Sequence, residues 1–386
     1  MKRTIFILGR TPELATIELQ ALYPTTTLLL PGIAVGTGGI DVKEAITHLG
    51  GTVKIAEEIS EVPDIDVHVL FSSLLPFVSE NRITFGISAY GSTRIPQSTY
   101  TGVKQLFMVR GISVRYVESK HDQALGSVVV SKQHVTELVV IGMQGSHILG
   151  VTKAVQDFED WNTRDSARPA PDPRRGMLPP KVARMIVNIA LGPVSHAPKV
   201  LLDPFCGVGT IVAEALMRDT QAIGMDISAD AVGKAQKNIA WLRAQYGMLQ
   251  KEPVRIEVGD ATHVSELIPL VSVDGIATEP LLGEQLHIPE GDPLQEQRVK
   301  NIIKGLEKLY IGCLKEWAKV LKPGSKVVMA TPAYVTRRGI VTVKKVVDRC
   351  EILGYTLLTG PIEYSRPQAM VRREFYVFQK SLIVKS

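Results

Sequence analysis

The chain has few cysteines, and their spacing argues against two kinds of stabilising site. Its 386 residues contain only three, Cys206, Cys313 and Cys350, which are far apart and form no CxxC pair. Structural zinc sites and disulfide frameworks need clustered or paired thiols. The sequence therefore predicts no metal site and no disulfide scaffold. Because unpaired thiols are typical of reducing compartments, it also predicts a cytoplasmic protein.

Long apolar runs are missing as well. No segment approaches the roughly 18 apolar residues of a membrane helix, so we expect no membrane partner. The short apolar run near the N-terminus breaks at Gly9, too early for a signal peptide. With 45% hydrophobic and 22% charged residues, the composition is that of a globular protein, and its length suits two or three domains.

Neither sign of charge dominates strongly. The formal net charge is +5. Such an excess is compatible with an acidic partner such as nucleic acid, but it does not require one.

The first 160 residues resemble two small α+β units in their hydrophobic periodicity. We predict one domain over residues 1–57 and a second over residues 58–160. The predicted elements are strands at 4–8, 83–90 and 127–131, helices at 11–23 and 100–109, and a hairpin at 137–151.

The remainder begins with a proline-rich segment. Five of the twenty residues of 161–180 are proline, which prevents a helix and predicts an extended, ordered linker. A helix is predicted at 181–190. From residue 199 strands and helices alternate, which predicts a doubly wound, mostly parallel sheet in a domain over 181–386. Two final strands without an intervening helix predict an antiparallel last strand.

The strongest motif is VLLDPFCGVGTIVAEAL, residues 200–216. An apolar strand ends in Asp203, and a loop with Gly207 and Gly209 leads into a helix that begins near Thr210. Glycines allow close approach of a ligand, and the helix N-terminus offers free N–H groups. The dinucleotide pattern GxGxxG is absent, and Asp203 would repel a pyrophosphate but attract a cationic amino group. S-adenosylmethionine carries such a group. The intervening loop residues predicted to bind it are Pro204, Phe205 and Cys206.

Two further strands end in acidic residues. Asp226, followed by Ile227, is placed to accept the ribose hydroxyls of the cofactor. Asp260, followed by Ala261, is placed to bind the adenine or its ribose. Either aspartate alone could instead be a helix cap; both in order on successive strands favour a methyltransferase.

The fourth strand leads into VDGIATEPLLG, residues 273–283. Amino-methyltransferases keep Asp or Asn, two prolines and an aromatic residue at this position. The carboxylate or amide oxygen and the first proline carbonyl accept hydrogen bonds from the target amine, and the ring stacks on the base. We predict a catalytic segment of Glu279, Pro280, Leu281 and Leu282.

Nearly the whole chain resembles the THUMP-containing tRNA guanosine-10 methyltransferases of archaea and eukaryotes and their bacterial relatives. The similar segments are residues 7–22, 153–190 and 203–216. The resemblance implies a ferredoxin-like domain over 1–57, a THUMP-like RNA-binding domain over 58–160 and a Rossmann-like class I methyltransferase domain over 181–386. It further implies S-adenosylmethionine as cofactor, tRNA as partner and the 2-amino group of a guanosine as target. Some members need a small zinc-binding activator protein.

The reaction segment departs from that family. Glu279 stands where Asp or Asn is usual, and Leu281 replaces the second proline. Leu282 stands in place of the aromatic residue and cannot stack as a ring does. The alternative for Glu279 is a solvated carboxylate at a strand end.

Cations in and after the linker are the predicted RNA contacts. Arginine suits phosphate because its planar fork donates hydrogen bonds in pairs. An alternative is that Arg164, beside Asp165, is an internal clamp that fixes the linker. The predicted set is Arg164, Arg168, Arg174, Arg175 and Lys181.

Two other functions stay open at this point. A DNA amino-methyltransferase would share the catalytic half, although the THUMP-like half argues against it. A catalytically weak RNA-binding protein that retains the fold is favoured by the substituted residues 279–282.

Overall fold

Two compact units divide the chain, Met1–Glu159 and Asp160–Ser386. The computed structural model describes residues 2–119, 123–172, 177–195, 197–248, 253–283, 293–365 and 371–382, with the backbone alone for 293–295.

The first unit is an α+β structure. Its strands are β1 (Thr4–Leu8), β2 (Thr27–Leu30), β3 (Ile33–Gly36), β4 (Thr52–Val62), β5 (Arg82–Gly91), β6 (Ser113–Tyr116), β7 (Thr136–Gly142) and β8 (His147–Val155). Its helices are α1 (Pro12–Leu22), α2 (Val42–His48), α3 (Val67–Leu74), α4 (Gln97–Val109) and α5 (Ser127–Lys132).

All eight strands form one sheet in the order β2-β3-β1-β4-β8-β7-β5-β6. Strand β4 pairs with β1 on one side and with β8 on the other, so the sheet continues through residue 57. The separation into domains 1–57 and 58–160, and the THUMP-like assignment, stay predictions.

The prediction of a strand at residues 127–131 is wrong. These residues lie in the short helix α5, which buries Val130 in a small cluster with Val117, Leu125 and Val135. A run of β-branched residues favours a strand only where a sheet position accepts it. Here both positions beside β5 are taken, one by β6 and one by β7.

The second unit alternates strands with helices. Its strands are β9 (Val200–Asp203), β10 (Gln221–Asp226), β11 (Val254–Val258), β12 (Val273–Thr278), β13 (Leu321–Thr336), β14 (Gly339–Thr342), β15 (Tyr355–Tyr364) and β16 (Val371–Lys380). Its helices are α6 (Phe158–Ser166, beginning two residues before the unit), α7 (Pro180–Leu191), α8 (Thr210–Leu216), α9 (Ala229–Gln245), α10 (Pro293–Val320) and α11 (Lys344–Asp348).

The sheet order β11-β10-β9-β12-β13-β16-β15 confirms the doubly wound architecture. Strands β9 to β13 pair in parallel, whereas β16 is antiparallel to both of its neighbours, as the sequence predicted. The strand order reverses between β9 and β12. Ligands of such sheets bind at the carboxyl ends of the strands beside this reversal.

Helix α10 covers one face of this sheet. Its side chains Tyr310, Leu314 and Trp317 are fully buried in the core cluster, and the indole N–H of Trp317 donates a hydrogen bond of 3.0 Å to the carbonyl of Ala261. The helix thereby packs directly behind the loop that follows β11.

The linker differs in part from the expected extended chain. Residues 161–166 belong to α6, and all five prolines of 161–180 follow that helix. The helix buries Trp161 and Arg164, and this packing stabilises it just before the first proline.

Within the residues that the structure describes, no helix is both long enough and apolar enough to cross a membrane.

Candidate active site

A cavity of about 980 Å³ opens in the second unit where the β-strand order reverses. Most of its wall comes from the segments that follow β9, β10, β11 and β12, the positions that the sequence singled out. The predicted site residues that line it are Pro204, Phe205, Cys206, Gly207, Thr210, Asp226, Ile227, Asp260, Ala261, Glu279, Pro280, Leu281 and Leu282.

Asp203 is the one predicted carboxylate that contributes no wall to the cavity. Its side chain is 1% exposed and accepts hydrogen bonds from the Thr278 hydroxyl at 2.7 Å and the Phe205 amide at 3.2 Å. Burial raises the pKa of Asp203 to about 7, and the negative charges of Asp226 and Glu279 add to this rise. A cation close to the loop would favour the ionised form.

Asp226 joins two of the site segments. One carboxylate oxygen accepts from the Ser228 amide at 2.9 Å, and the other accepts from the Gly207 amide at 3.1 Å. The end of β10 is thereby fixed to the loop that follows β9. That loop ends at Gly209, the N-cap of α8, whose φ of 87° favours glycine.

Asp260 is held in a local turn. Its carboxylate accepts hydrogen bonds of 2.8 Å from the amide and 2.7 Å from the hydroxyl of Thr262. These bonds lower the pKa of Asp260, so the carboxylate stays ionised at neutral pH and remains 46% exposed beside the cavity.

Two buried tyrosines fix the backbone of the predicted catalytic segment. The hydroxyl of Tyr310 on α10 donates to the carbonyl of Leu281 at 2.5 Å, and that of Tyr334 on β13 donates to the carbonyl of Leu282 at 3.0 Å. Gly283 has a φ of 88°, and any Cβ there would collide with the Tyr334 hydroxyl. The segment is thus built into the fold, although Leu281 itself is 61% exposed.

Glu279 forms an ion pair with Arg373 on β16, in which the guanidinium Nε donates to carboxylate oxygen Oε1. Burial raises the pKa of Glu279, and the charge of Arg373 opposes that rise. Both side chains line the cavity. The carboxylate is therefore held at the cavity wall and is not simply solvated at a strand end.

Sequence reasoning missed several residues of this site. Arg373 lies 94 positions after Glu279, and its neighbour Arg372 in β16 carries the same side chain, so no local pattern distinguishes the two. Residues from the linker and β15 also line the cavity; they are Asp172, Met177, Leu178 and Tyr364.

The assignment of Arg164 and Arg168 as RNA contacts is wrong, because both side chains are buried, at 6% and 7% exposure. Arg164 pairs with Asp160 and with the buried Glu214, and Arg184 pairs with the same Glu214. Arg164 is therefore an internal clamp, which was the alternative interpretation of its sequence position. Its partners are Asp160 and Glu214, however, and not the neighbouring Asp165.

Arg168 instead connects the linker to the start of α8. Its guanidinium pairs with Asp165 at 3.1 Å and donates to the Thr210 hydroxyl at 2.7 Å, and Thr210 begins α8 at the cavity wall. Lys181 is half-buried, with its ammonium 5.7 Å from the ring centre of Trp161. Arg174 and Arg175 lie outside the described residues.

Comparisons with known proteins agree with this geometry. Residues 169–347 match the family model UPF0020, described as an RMKL-like methyltransferase domain. Two similar relatives are both named tRNA (guanine(10)-N2)-dimethyltransferase. That of Pyrococcus abyssi is 34% identical over 131 residues, which are 34% of this chain and 36% of the relative. That of Methanothermobacter thermautotrophicus is 30% identical over 166 residues, which are 43% of this chain and 42% of the relative. The matches thus span well under half of these relatives.

A solved structure extends the similarity in fold to the whole chain. TrmN from Thermus thermophilus superposes with a TM-score of 0.55 at 19% identity, covering 98% of this chain and 100% of that one. At this identity the match concerns the fold alone. Residues 169–347 are thus similar to the UPF0020 family of RMKL-like methyltransferase domains, and the fold of the chain is similar to that of TrmN.

Proposed function

We propose that this protein transfers a methyl group from S-adenosylmethionine to the 2-amino group of a guanosine in tRNA, at the position 10 that its relatives' names specify. One observation carries the proposal. The glycine loop after β9, Asp226 at the end of β10, Asp260 after β11 and Glu279 after β12 line a single cavity in a domain similar to a methyltransferase family model.

The cavity residues fit the chemistry of S-adenosylmethionine. Asp226 offers a carboxylate for ribose hydroxyls, Ile227 and Leu178 offer apolar surface for an adenine, and the buried Asp203 offers negative charge near the loop for an amino group. When bound, the cofactor supplies an electrophilic methyl group. The protein's part is then to orient the target amine and exclude water.

Glu279 is the residue best placed to orient that amine. A guanine 2-amino group is a poor nucleophile because its lone pair is delocalised into the ring. A carboxylate that accepts one of its N–H bonds fixes its direction and stabilises the positive charge that develops on nitrogen. The carbonyl of Pro280, which directly precedes the two carbonyls held by Tyr310 and Tyr334, is the second acceptor that the motif offers.

Replacement of Asp226 by alanine should weaken S-adenosylmethionine binding by roughly 5- to 150-fold, the equivalent of about 1–3 kcal/mol for lost charge-assisted hydrogen bonds. Titration calorimetry measures this directly. The matched control is Asp348→Ala, which removes a carboxylate paired with Lys344 on α11, outside the cavity. Equal affinity of the two variants would refute the ribose-binding role.

Affinity for tRNA should fall steeply as salt concentration rises, because phosphate contacts release counterions. The double change Arg174→Ala, Arg175→Ala should weaken binding to different tRNAs alike and flatten the slope of log affinity against log salt by about 1 to 2. A filter-binding series measures this, with Lys308→Ala, Lys315→Ala on the exposed side of α10 as the charge-matched control. An unchanged slope would remove both arginines from the RNA interface.

Two features favour a second candidate, an RNA-binding protein with little activity. Glu279 is already engaged by Arg373, and the reaction segment has leucine in place of an aromatic residue. Mass spectrometry of tRNA from cells with and without the gene separates the two functions. The methyltransferase predicts loss of N2-methylated guanosine, whereas the binding protein predicts an unchanged set of nucleosides. The zinc-binding activator and the cytoplasmic location remain predictions.

A further inference from the structure

The ion pair between Glu279 and Arg373 lies on the wall of the candidate active site. The two side chains are 17% and 20% exposed, and each comes from a different strand end of the same sheet, β12 and β16. Surface ion pairs contribute little to stability. This pair is partly buried at the point where a substrate amine must arrive. It therefore affects which hydrogen-bonding groups the Glu279 carboxyl presents to the substrate.

The charge of a carboxyl group decides which base edge it can match. An ionised carboxylate only accepts hydrogen bonds, whereas a protonated one offers a donor and an acceptor. The edge of guanine next to its 2-amino group presents two donors, N1–H and N2–H2. A purine without a proton on N1 presents an acceptor and a donor. The ionised form therefore matches guanine, and the neutral form matches a purine with an unprotonated N1.

Among the residues that the structure describes, the surroundings of Glu279 other than Arg373 favour its neutral form. Burial raises the pKa of this carboxyl group. The negative charge of Glu279 raises the pKa of the buried Asp203, and by the same repulsion an ionised Asp203 disfavours the ionised form of Glu279. The nearby Tyr310 on α10 supplies no positive charge. Arg373 opposes these effects, and a guanidinium keeps its charge at every physiological pH.

We propose that Arg373 is the specificity-determining residue of this site, holding Glu279 as an ionised, oriented acceptor that reads N1–H and N2–H2 of guanine together. Arg373 acts through Glu279 and is therefore a positioning residue. The carboxylate can serve both partners because its two oxygens offer about four lone-pair positions, and the guanidinium Nε uses one of them. This inference rests on the proposed function and adds the reason for its choice of base.

The test compares two tRNAs that differ at the target nucleotide alone, one with guanosine and one with 2-aminopurine. Both carry the 2-amino group, but N1 of 2-aminopurine is an acceptor. The wild-type protein should prefer guanosine in kcat/KM by on the order of 10- to 100-fold. Arg373→Met should narrow that preference to roughly 3-fold or less. Arg373→Lys should retain most of the preference, because lysine keeps the positive charge although it lacks the planar guanidinium.

The test depends on how much each mutation changes the preference for guanosine over 2-aminopurine. The intrinsic reactivities of the two amines are the same for every variant and therefore cancel in this comparison. Arg372→Met is the matched control. That neighbour pairs with Glu363, at 3.2 Å, and does not line the cavity, so the variant should keep the wild-type preference. Binding of S-adenosylmethionine by each variant, measured by calorimetry, reports whether the site is intact.

The outcomes separate this inference from the function on which it rests. If Arg373→Met binds cofactor normally and keeps the wild-type preference, Arg373 does not set specificity and the inference fails alone. A loss of rate on both bases by the same factor also contradicts it, since this indicates a purely structural role. If the wild-type protein methylates neither tRNA, the proposed function itself fails.

Discussion

Replacement of Glu279 by alanine is expected to slow single-turnover methyl transfer by about 10²- to 10⁴-fold, the usual contribution of a positioned acid–base group. The variant loses the acceptor for the target amine and removes the Glu279 carboxylate from its ion pair with Arg373. Glu279→Gln keeps an acceptor oxygen and the shape of the side chain but loses the charge. Its rate should therefore lie between those of the wild type and Glu279→Ala. Rapid quenching with labelled S-adenosylmethionine and excess enzyme measures all three rates.

Two controls give this result its meaning. Cofactor affinity and tRNA affinity should both stay within about 3-fold of wild type, because the binding residues are separate from Glu279. Glu363→Ala removes a half-exposed glutamate of β15 that pairs with Arg372 and should transfer methyl at the wild-type rate. If Glu279→Ala transfers methyl at the same rate as Glu363→Ala, Glu279 is only a carboxylate at a strand end and has no role in the reaction.

The largest expected effect on stability is at Glu214. This residue of α8 is 1% exposed and neutralises two buried guanidinium groups, those of Arg164 and Arg184. Removing one partner of a buried ion network leaves uncompensated charge and costs about 3–5 kcal/mol. For a unit of this size, Glu214→Ala should lower the melting temperature by about 6 to 20 °C.

Tryptophan fluorescence is the appropriate probe of that transition. All three tryptophans, Trp161, Trp241 and Trp317, lie in the second unit, so the signal reports its unfolding alone. Glu351→Ala, at an exposed position after α11, should melt within about 2 °C of wild type, because surface substitutions seldom exceed 0.5 kcal/mol. Equal melting temperatures for the two variants would mean that Glu214 contributes no net stability.

The parts of the site that sequence reasoning located are those with a local signal. Strand β9, its glycine loop and α8 form one continuous pattern, and Asp226 and Asp260 each follow a short apolar strand. In a parallel sheet the carboxyl ends of neighbouring strands meet at one edge. A correct order of strands and helices was therefore enough to bring these residues to one cavity.

The parts that it missed depend on tertiary structure. Arg373 reaches Glu279 through the antiparallel pairing of β13 with β16, and no feature of its own strand reveals that partner. The charge of Arg164 is visible in the sequence, but its burial against Glu214 is a property of how α6 and α8 pack. The helix at 127–132 likewise reflects packing, since a valine run alone favours a strand.

The most direct test of the central claim is methyl transfer by the purified chain to unmodified tRNA with labelled S-adenosylmethionine, followed by digestion to nucleosides. We expect label in N2-methylated guanosine, and none when the target guanosine is replaced by adenosine. Label confined to another nucleoside would contradict the assigned target. If the protein binds both cofactor and tRNA but labels none of the RNAs offered, this cavity does not catalyse methyl transfer.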